Sequence, residues 1–362
     1  MSVRLQDVCI ARQSDTQSFR LSNVSIEIEP GEFVVIVGPS GVGKTSLLRA
    51  IAGLLPVEVG NIMIADEAVQ DKRPADRNIA MVFQQHGLFP HMTVAQNLGL
   101  SLLFNKAKKT EIQQRVDQIA ALLQLTELLD AYPQTLSGGQ KQRVAIGRAM
   151  LSNPKVFLFD EPLVNLDPTL RRHMLRELKQ LHQRLGATSL YVTHDQSEAL
   201  ALADKILLLD TDGIVQFASP SECYNQPANQ YIAEFLGEPP INLLPFAHPF
   251  TQTFGTSQSA YTDPSALPIL FGIRPRQVKL LIDGEGETVD MVCQKASVTA
   301  ISQLGEDVLI QACVAGIHEP VSLFCQASTQ LPSLHQKVSL GWRKADMLLF
   351  DQQGRRLALA PC

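Results

Sequence analysis

The run Gly38-Pro39-Ser40-Gly41-Val42-Gly43-Lys44-Thr45 matches GxxxxGK[ST], and Ser46 follows it. Glycines let backbone N–H groups turn inward around phosphate oxygens, and a helix opening at Lys44 adds the positive end of its dipole. Lys44 neutralises β- and γ-oxygens, and Thr45 offers a hydroxyl to Mg²⁺. Phe157-Leu158-Phe159-Asp160-Glu161 supplies what such a phosphoryl site still needs. Asp160, at the end of an apolar run, can hold the metal shell, and Glu161 beside it can polarise an attacking water as general base. An acidic pair after a strand is ordinarily a solvated strand end or a helix cap, and only the phosphate-binding pattern upstream turns this one toward chemistry.

These residues need rigid supports. Val24 to Ile28 alternates, whereas Glu32 to Val37 is a continuous apolar run, the pattern of a strand buried on both faces. It stops at Gly38, and Lys44 to Ala52 continues as a helix without a breaker. Lys106 to about Leu129 has apolar positions at helical spacing, Ser137 can cap a helix running through Met150, and Lys155 to Asp160 is a second buried strand. A helix over Thr169 to Leu185, a strand over Ser189 to Thr193, a helix from Gln196 to Ala203 and a strand from Lys205 to Leu209 follow. The alternation predicts an α/β fold around a mostly parallel sheet with both faces covered. After Gly237-Glu238-Pro239-Pro240 the texture changes to short β-rich runs, Ile269 to Ile273, Gln277 to Ile282, Ala296 to Ile301, Asp307 to Val314, Val321 to Cys325 and Lys337 to Leu340, which predict a small all-β domain.

The bulk properties set limits. A chain of 362 residues predicts two or three domains at about 150 residues each. A hydrophobic share of 45% and a charged share of 19% allow a sizeable core. The net charge of -5, with neither sign in long blocks, disfavours a nucleic-acid partner, which needs a basic surface. Six scattered cysteines without a CxxC pair fit a reducing compartment. The start lacks a secretory signal and no window reaches the length of a membrane span, so the protein is expected to be soluble or peripheral.

Leu136-Ser137-Gly138-Gly139-Gln140, followed by Lys141-Gln142-Arg143-Val144-Ala145, resembles the signature of the ATP-binding cassette (ABC) family. The resemblance implies a second phosphate cradle, Ser137 to Gln140, that closes in trans on the γ-phosphate held by the other protomer of a homodimer. It also implies that Gln84 is the glutamine that senses Mg²⁺ and water, that Asp167 in Asn165-Leu166-Asp167 lies at the dimer interface, and that His194 is the switch histidine at the γ-phosphate. Catalysis is then expected of Lys44, Glu161 and His194, with ATP and Mg²⁺ as ligands and Thr45, Gln84 and Asp160 around the metal.

Asp160-Glu-Pro-Leu-Val-Asn-Leu-Asp167, Val192-Thr-His-Asp-Gln196 and Tyr224-Asn-Gln-Pro-Ala-Asn229 are similar to ATPase subunits of bacterial sugar importers of the maltose type. Ile241-Asn-Leu-Leu-Pro245 and Gly272-Ile-Arg-Pro275 extend the similarity into the β region, which looks like a TOBE-type, OB-like domain. The implied layout is an ATPase domain over 1–237, with a helical subdomain about 86–152, and a β domain over 238–362. The implied function is ATP hydrolysis coupled to uptake of a sugar or sugar phosphate, at the cytoplasmic face of the plasma membrane. Its implied partners are two integral membrane permease subunits, an extracytoplasmic solute-binding protein and a possible regulatory protein at the C-terminal domain. Uptake of iron, a polyamine or another small solute is the alternative within the class, and a soluble ABC protein outside transport the alternative from another. The sequence departs from the family at two places. Asp15 stands where an aromatic usually stacks on adenine, leaving Phe19 as the candidate, and His86 stands in the stretch that lines the cleft for the membrane subunit.

Overall fold

Phe33 to Val37 is apolar throughout because the strand it forms is buried on both faces. The computed structural model describes residues 2–13, 18–83, 87–164, 166–210, 213–246, 269–281, 291–327 and 331–357. The chain divides into two units, Met1–Pro220 and Ser221–Cys362.

The first unit runs β1 (Val3–Gln13), β2 (Ser18–Ile28), β3 (Phe33–Val37), α1 (Lys44–Ala52), β4 (Val59–Ile64), β5 (Glu67–Ala68), β6 (Ile79–Val82), α2 (Val94–Phe104), α3 (Lys109–Leu122) and α4 (Gly138–Leu151). It continues with β7 (Val156–Asp160), α5 (Pro168–Leu185), β8 (Thr188–Val192), α6 (Gln196–Leu202), β9 (Lys205–Asp210) and β10 (Gly213–Ala218). The main sheet has the order β10-β9-β3-β8-β7-β6 and is parallel except where β10 pairs with β9. Parallel strands end on the same edge, so the loops after β3, β7 and β8 emerge together. A second, antiparallel sheet, β2-β1-β4-β5, shares one apolar core with α1 and the main sheet.

Helices α2, α3 and α4 pack closely. A Cβ on Gly147 of α4 would come within 3.0 Å of Leu98, Leu123 and Ile119 side chains, so only glycine lets the three helices meet this tightly. The single helix expected over Lys106 to Leu129 is instead α3 followed by a 3-10 turn at Thr126–Leu128, because Gln124 takes a φ of 54°. Helix α2 is additional to the helices read from periodicity. It is mostly apolar, and Thr93 and Gln96 close a capping box at its start.

The second unit comprises α7 (Pro220–Asn225), α8 (Gln230–Phe235), β11 (Asn242–Pro245), β12 (Leu270–Ile273), β13 (Lys279–Leu281), β14 (Met291–Leu304), β15 (Asp307–Val314), β16 (Val321–Gln326), β17 (Lys337–Arg343), β18 (Leu348–Phe350) and β19 (Arg356–Leu357). Two antiparallel sheets, β13-β17-β14-β15-β16 and β11-β12-β18-β19, enclose a core containing Trp342 and Phe271, in keeping with an OB-like β domain. The unit starts before the change of texture at residue 238 because buried Arg274 binds the carbonyls of Tyr224, Ala233 and Leu236, drawing α7 and α8 onto the β strands. Among the described residues no helix is long and apolar enough to cross a membrane.

Candidate nucleotide-binding and hydrolysis site

The loop between β3 and α1 turns on Gly38, Gly41 and Gly43, all at positive φ. At Gly38 nothing larger fits, since a Cβ would lie 2.3 Å from the Leu209 carbonyl oxygen. Lys44, only 5% exposed, folds back so that Nζ donates to the carbonyls of Gly38 and Pro39, each at 2.8 Å. Burial pulls its pKa down, and the charges of Glu161 and Asp160 oppose that shift. The other end of α1 is anchored by Arg77, whose Nη1 donates to the carbonyls of Ala50 and Ile51 at 2.9 Å. A helix held at its C-terminus presents its N-terminal N–H groups and dipole at a fixed place. Ser40, Val42 and Ser46 lie in the same loop and first helical turn.

Asp160 closes β7, buried at 4% exposure, and its Oδ1 accepts a 2.7 Å hydrogen bond from the Thr45 hydroxyl. A hydroxyl and a carboxylate are hard oxygen donors of the kind Mg²⁺ takes, so the residues present fit that ion. Glu161 follows at φ 47°, a region a non-glycine residue occupies at a cost. Its N–H bonds to the Val192 carbonyl at 3.1 Å, which fixes it beside the end of β8. There His194 brings Nε2 to 2.9 Å from Glu161 Oε1. Lys44, Thr45, Asp160, Glu161 and His194 thus meet at one edge of the sheet.

Ser137 caps α4 and forms a capping box with Gln140, the Ser137 N–H donating to Gln140 Oε1 at 2.8 Å and the Gln140 N–H to Ser137 Oγ at 3.3 Å. A Cβ on Gly139 would meet Leu166 at 2.9 Å, whereas one on Gly138 would meet none of the described residues within 4 Å, so among them the first turn of α4 is packed on one side and open on the other. Asp167 caps α5, its Oδ1 accepting from the N–H groups of Thr169 and Leu170. Gln84, His86, Asn165 and Asp15 lie outside the described residues. Phe19 is described only as a backbone position in β2, paired with Arg12 of β1.

Residues that the motifs did not single out for the site surround His194. Glu198 is buried, and burial raises its pKa against the hydrogen bonds it accepts from Thr193 and Tyr191. Arg171 reaches Asp195 from α5. The only sequence signal was a hydroxyl and two acids flanking the histidine.

The family model described as ABC transporter matches residues 21–164. The sn-glycerol-3-phosphate import ATP-binding protein UgpC of Chromobacterium violaceum is 43% identical over 345 residues, which cover 93% of this chain and 90% of that protein. The protein of the same name from Ruegeria pomeroyi is 45% identical over 298 residues, 82% and 83% of the two chains. An ATP-binding cassette solved as a dimer in a post-hydrolysis state with ADP and Pi aligns at a TM-score of 0.56 and 32% identity, covering 60% of this chain and 98% of the other. With relatives this similar along nearly its full length, the chain belongs to the ABC transporter family, as one of its ATP-hydrolysing subunits.

Proposed function

We propose that this chain drives uptake of a sugar or sugar phosphate as a homodimer bound to two permease subunits, with an extracytoplasmic solute-binding protein delivering the solute. The observation that carries the reading is the meeting of Thr45 with Asp160 and of Glu161 with His194 at one strand edge. The relatives are named for sn-glycerol-3-phosphate import, which supports a solute of the sugar-phosphate class.

In this reading Gly38 to Ser46 hold the ATP phosphates, and Lys44 exchanges its loop carbonyls for β- and γ-oxygens. Thr45, Asp160 and Gln84 hold Mg²⁺, which supplies Lewis-acid polarisation of the phosphate oxygens. Glu161 takes a proton from the attacking water, and His194, donating from Nε2, keeps that carboxylate in place. Ser137, Gly138, Gly139 and Gln140 present the α4 N-terminus to the nucleotide on the partner protomer, with Asp167 at the interface between them. Phe19 remains the candidate for contact with adenine. Each motif occurs once, so two composite sites need two chains.

An apolar groove of about 630 Å³ between α2 and α3, lined by Met92, Leu100, Leu103, Ile112 and Val116, is where we place the cytoplasmic helix of a permease subunit. The chain is then peripheral, on the cytoplasmic face of the plasma membrane, and the second unit either spaces the dimer or receives a regulatory protein. Affinity capture of the tagged chain from native membranes, read by mass spectrometry, tests the importer. Two polytopic subunits are expected, and recovery of ribosomes or nucleic-acid enzymes in their place overturns it.

A further inference from the structure

Three elements converge on one buried carboxylate. Glu198 in α6 is 3% exposed, and its Oε2 accepts hydrogen bonds from the Tyr191 hydroxyl of β8 at 2.8 Å and the Thr193 hydroxyl at 2.6 Å. Thr193 Oγ1 in turn accepts the Asp195 N–H at 3.0 Å. Asp195 uses Oδ1 to cap α6 through the N–H groups of Ser197 and Glu198, and Oδ2 to bind Arg171 Nη1 at 3.2 Å. Both chain neighbours of His194 are therefore fastened by side chains, while the imidazole itself is 46% exposed and reaches across to Glu161.

Arg171 extends the set to another loop. Its Nη2 donates to the carbonyls of Val164 and Leu166 at 3.4 Å each, ahead of α5. Its Nε stands 3.8 Å from Glu198 Oε1 and has no hydrogen-bond partner among the described residues. One guanidinium thus links the segment before Asp167 to both acids that flank the His194 loop. A buried carboxylate with a guanidinium alongside is weak ground for stability, since apolar residues fill such space as well, whereas directional bonds to both neighbours of His194 fix a geometry.

We propose that Glu198 and Arg171 are positioning residues for His194, Glu198 acting through Thr193 and Arg171 through Asp195, and that Arg171 makes the setting of His194 follow the Val164 and Leu166 carbonyls. The inference rests on the role given to His194 above.

The test uses the full chain and measures kcat and KM for MgATP, together with the Cε1–Hε1 NMR cross-peak of His194, assigned by its loss in His194→Ala. Thr193→Val, which keeps the side-chain shape, should lower kcat about tenfold, as expected for losing its one charge-assisted bond, and Arg171→Ala, which loses the bond to Asp195 and those to two carbonyls, at least about tenfold, with KM changed less than about twofold in each. The His194 cross-peak should move while that of His182 stays, and Thr193→Ser should restore both kcat and the cross-peak. Unchanged kcat and cross-peak in Thr193→Val overturn the proposal, as do equal movements at His182 or a Thr193→Ser variant as impaired as Thr193→Val. If His194→Ala itself retains full kcat, the role of His194 falls, and the cross-peak still reports separately on its positioning.

Discussion

The Thr45 hydroxyl and Asp160 Oδ1, 2.7 Å apart, join the first turn of α1 to the last residue of β7, two elements separated by most of the first unit. Thr45→Val removes the donor and leaves a nearly buried carboxylate without it. A hydrogen bond to a charged group contributes about 1.5 to 3 kcal/mol, so ATP turnover should fall roughly 10- to 100-fold. Thr45→Ser should retain most of it. A steady-state ATPase assay decides, and a Thr45→Val variant with parental kcat removes this bond from the working site.

Glu161→Gln keeps shape and an acceptor for His194 but cannot take a proton. Turnover should drop by about 10²- to 10⁴-fold, the range for losing a general base. With hydrolysis blocked, MgATP should hold two chains together, and light scattering after size exclusion should report a dimer. A persistent monomer in saturating MgATP contradicts the composite site.

How much of this arrangement was legible beforehand depended on whether neighbours in space were also neighbours in a pattern. The β3–loop–α1 segment was readable because a strand covered on both faces leaves a continuous apolar run before the glycines. Helix α2 was not, since Val94–Phe104 is mostly apolar, with Asn97 fully buried and bound to the Phe89, Met92 and Thr93 carbonyls, which blurs helical periodicity. Its Thr93 and Gln96 capping pair was the available mark. Strand β14, Met291–Leu304, runs past both ends of the expected Ala296 to Ile301, because its pairing with β17 begins at Met291 and that with β15 continues to Leu304. The tie between Arg171 and Asp195 joins side chains 24 positions apart, and only the packing of α5 beside α6 brings them together.

His182 of α5 is 8% exposed, with Nε2 2.8 Å from the Gly31 carbonyl and Nδ1 3.0 Å from the Ser189 hydroxyl. The carbonyl can only accept, so Nε2 carries the proton and Nδ1 accepts from the hydroxyl. Burial lowers its pKa from the ordinary 6.5. The folded chain therefore resists a proton that the unfolded chain takes up, and stability is lost as pH falls below about 6.5, until the folded pKa is reached. Thermal unfolding between about pH 7 and pH 5 should show this decline, and His182→Gln should flatten it. An equally steep decline in the variant assigns the effect elsewhere.

Arg274 donates to the Ala233 and Tyr224 carbonyls at 2.7 Å and to that of Leu236, with its guanidinium 4.0 Å from the centre of the Tyr224 ring. Lysine cannot serve three carbonyls from one fork, so Arg274→Lys should destabilise the second unit by about 3 kcal/mol or more. Trp342, the single tryptophan of the chain, is buried in that unit, so its fluorescence during urea unfolding reads the change directly. A midpoint equal to that of the parent would show that the fork contributes nothing there.

The two bonds from Lys44 Nζ to its own loop bear on how fast nucleotide can come and go. A loop already wound around its cation needs no ordering when phosphate arrives, and the conformational entropy that a slack loop forfeits on binding is not lost again. Arrival becomes an exchange of oxygen partners about a stationary ammonium. Association is then not slowed by a step that winds the loop around Lys44.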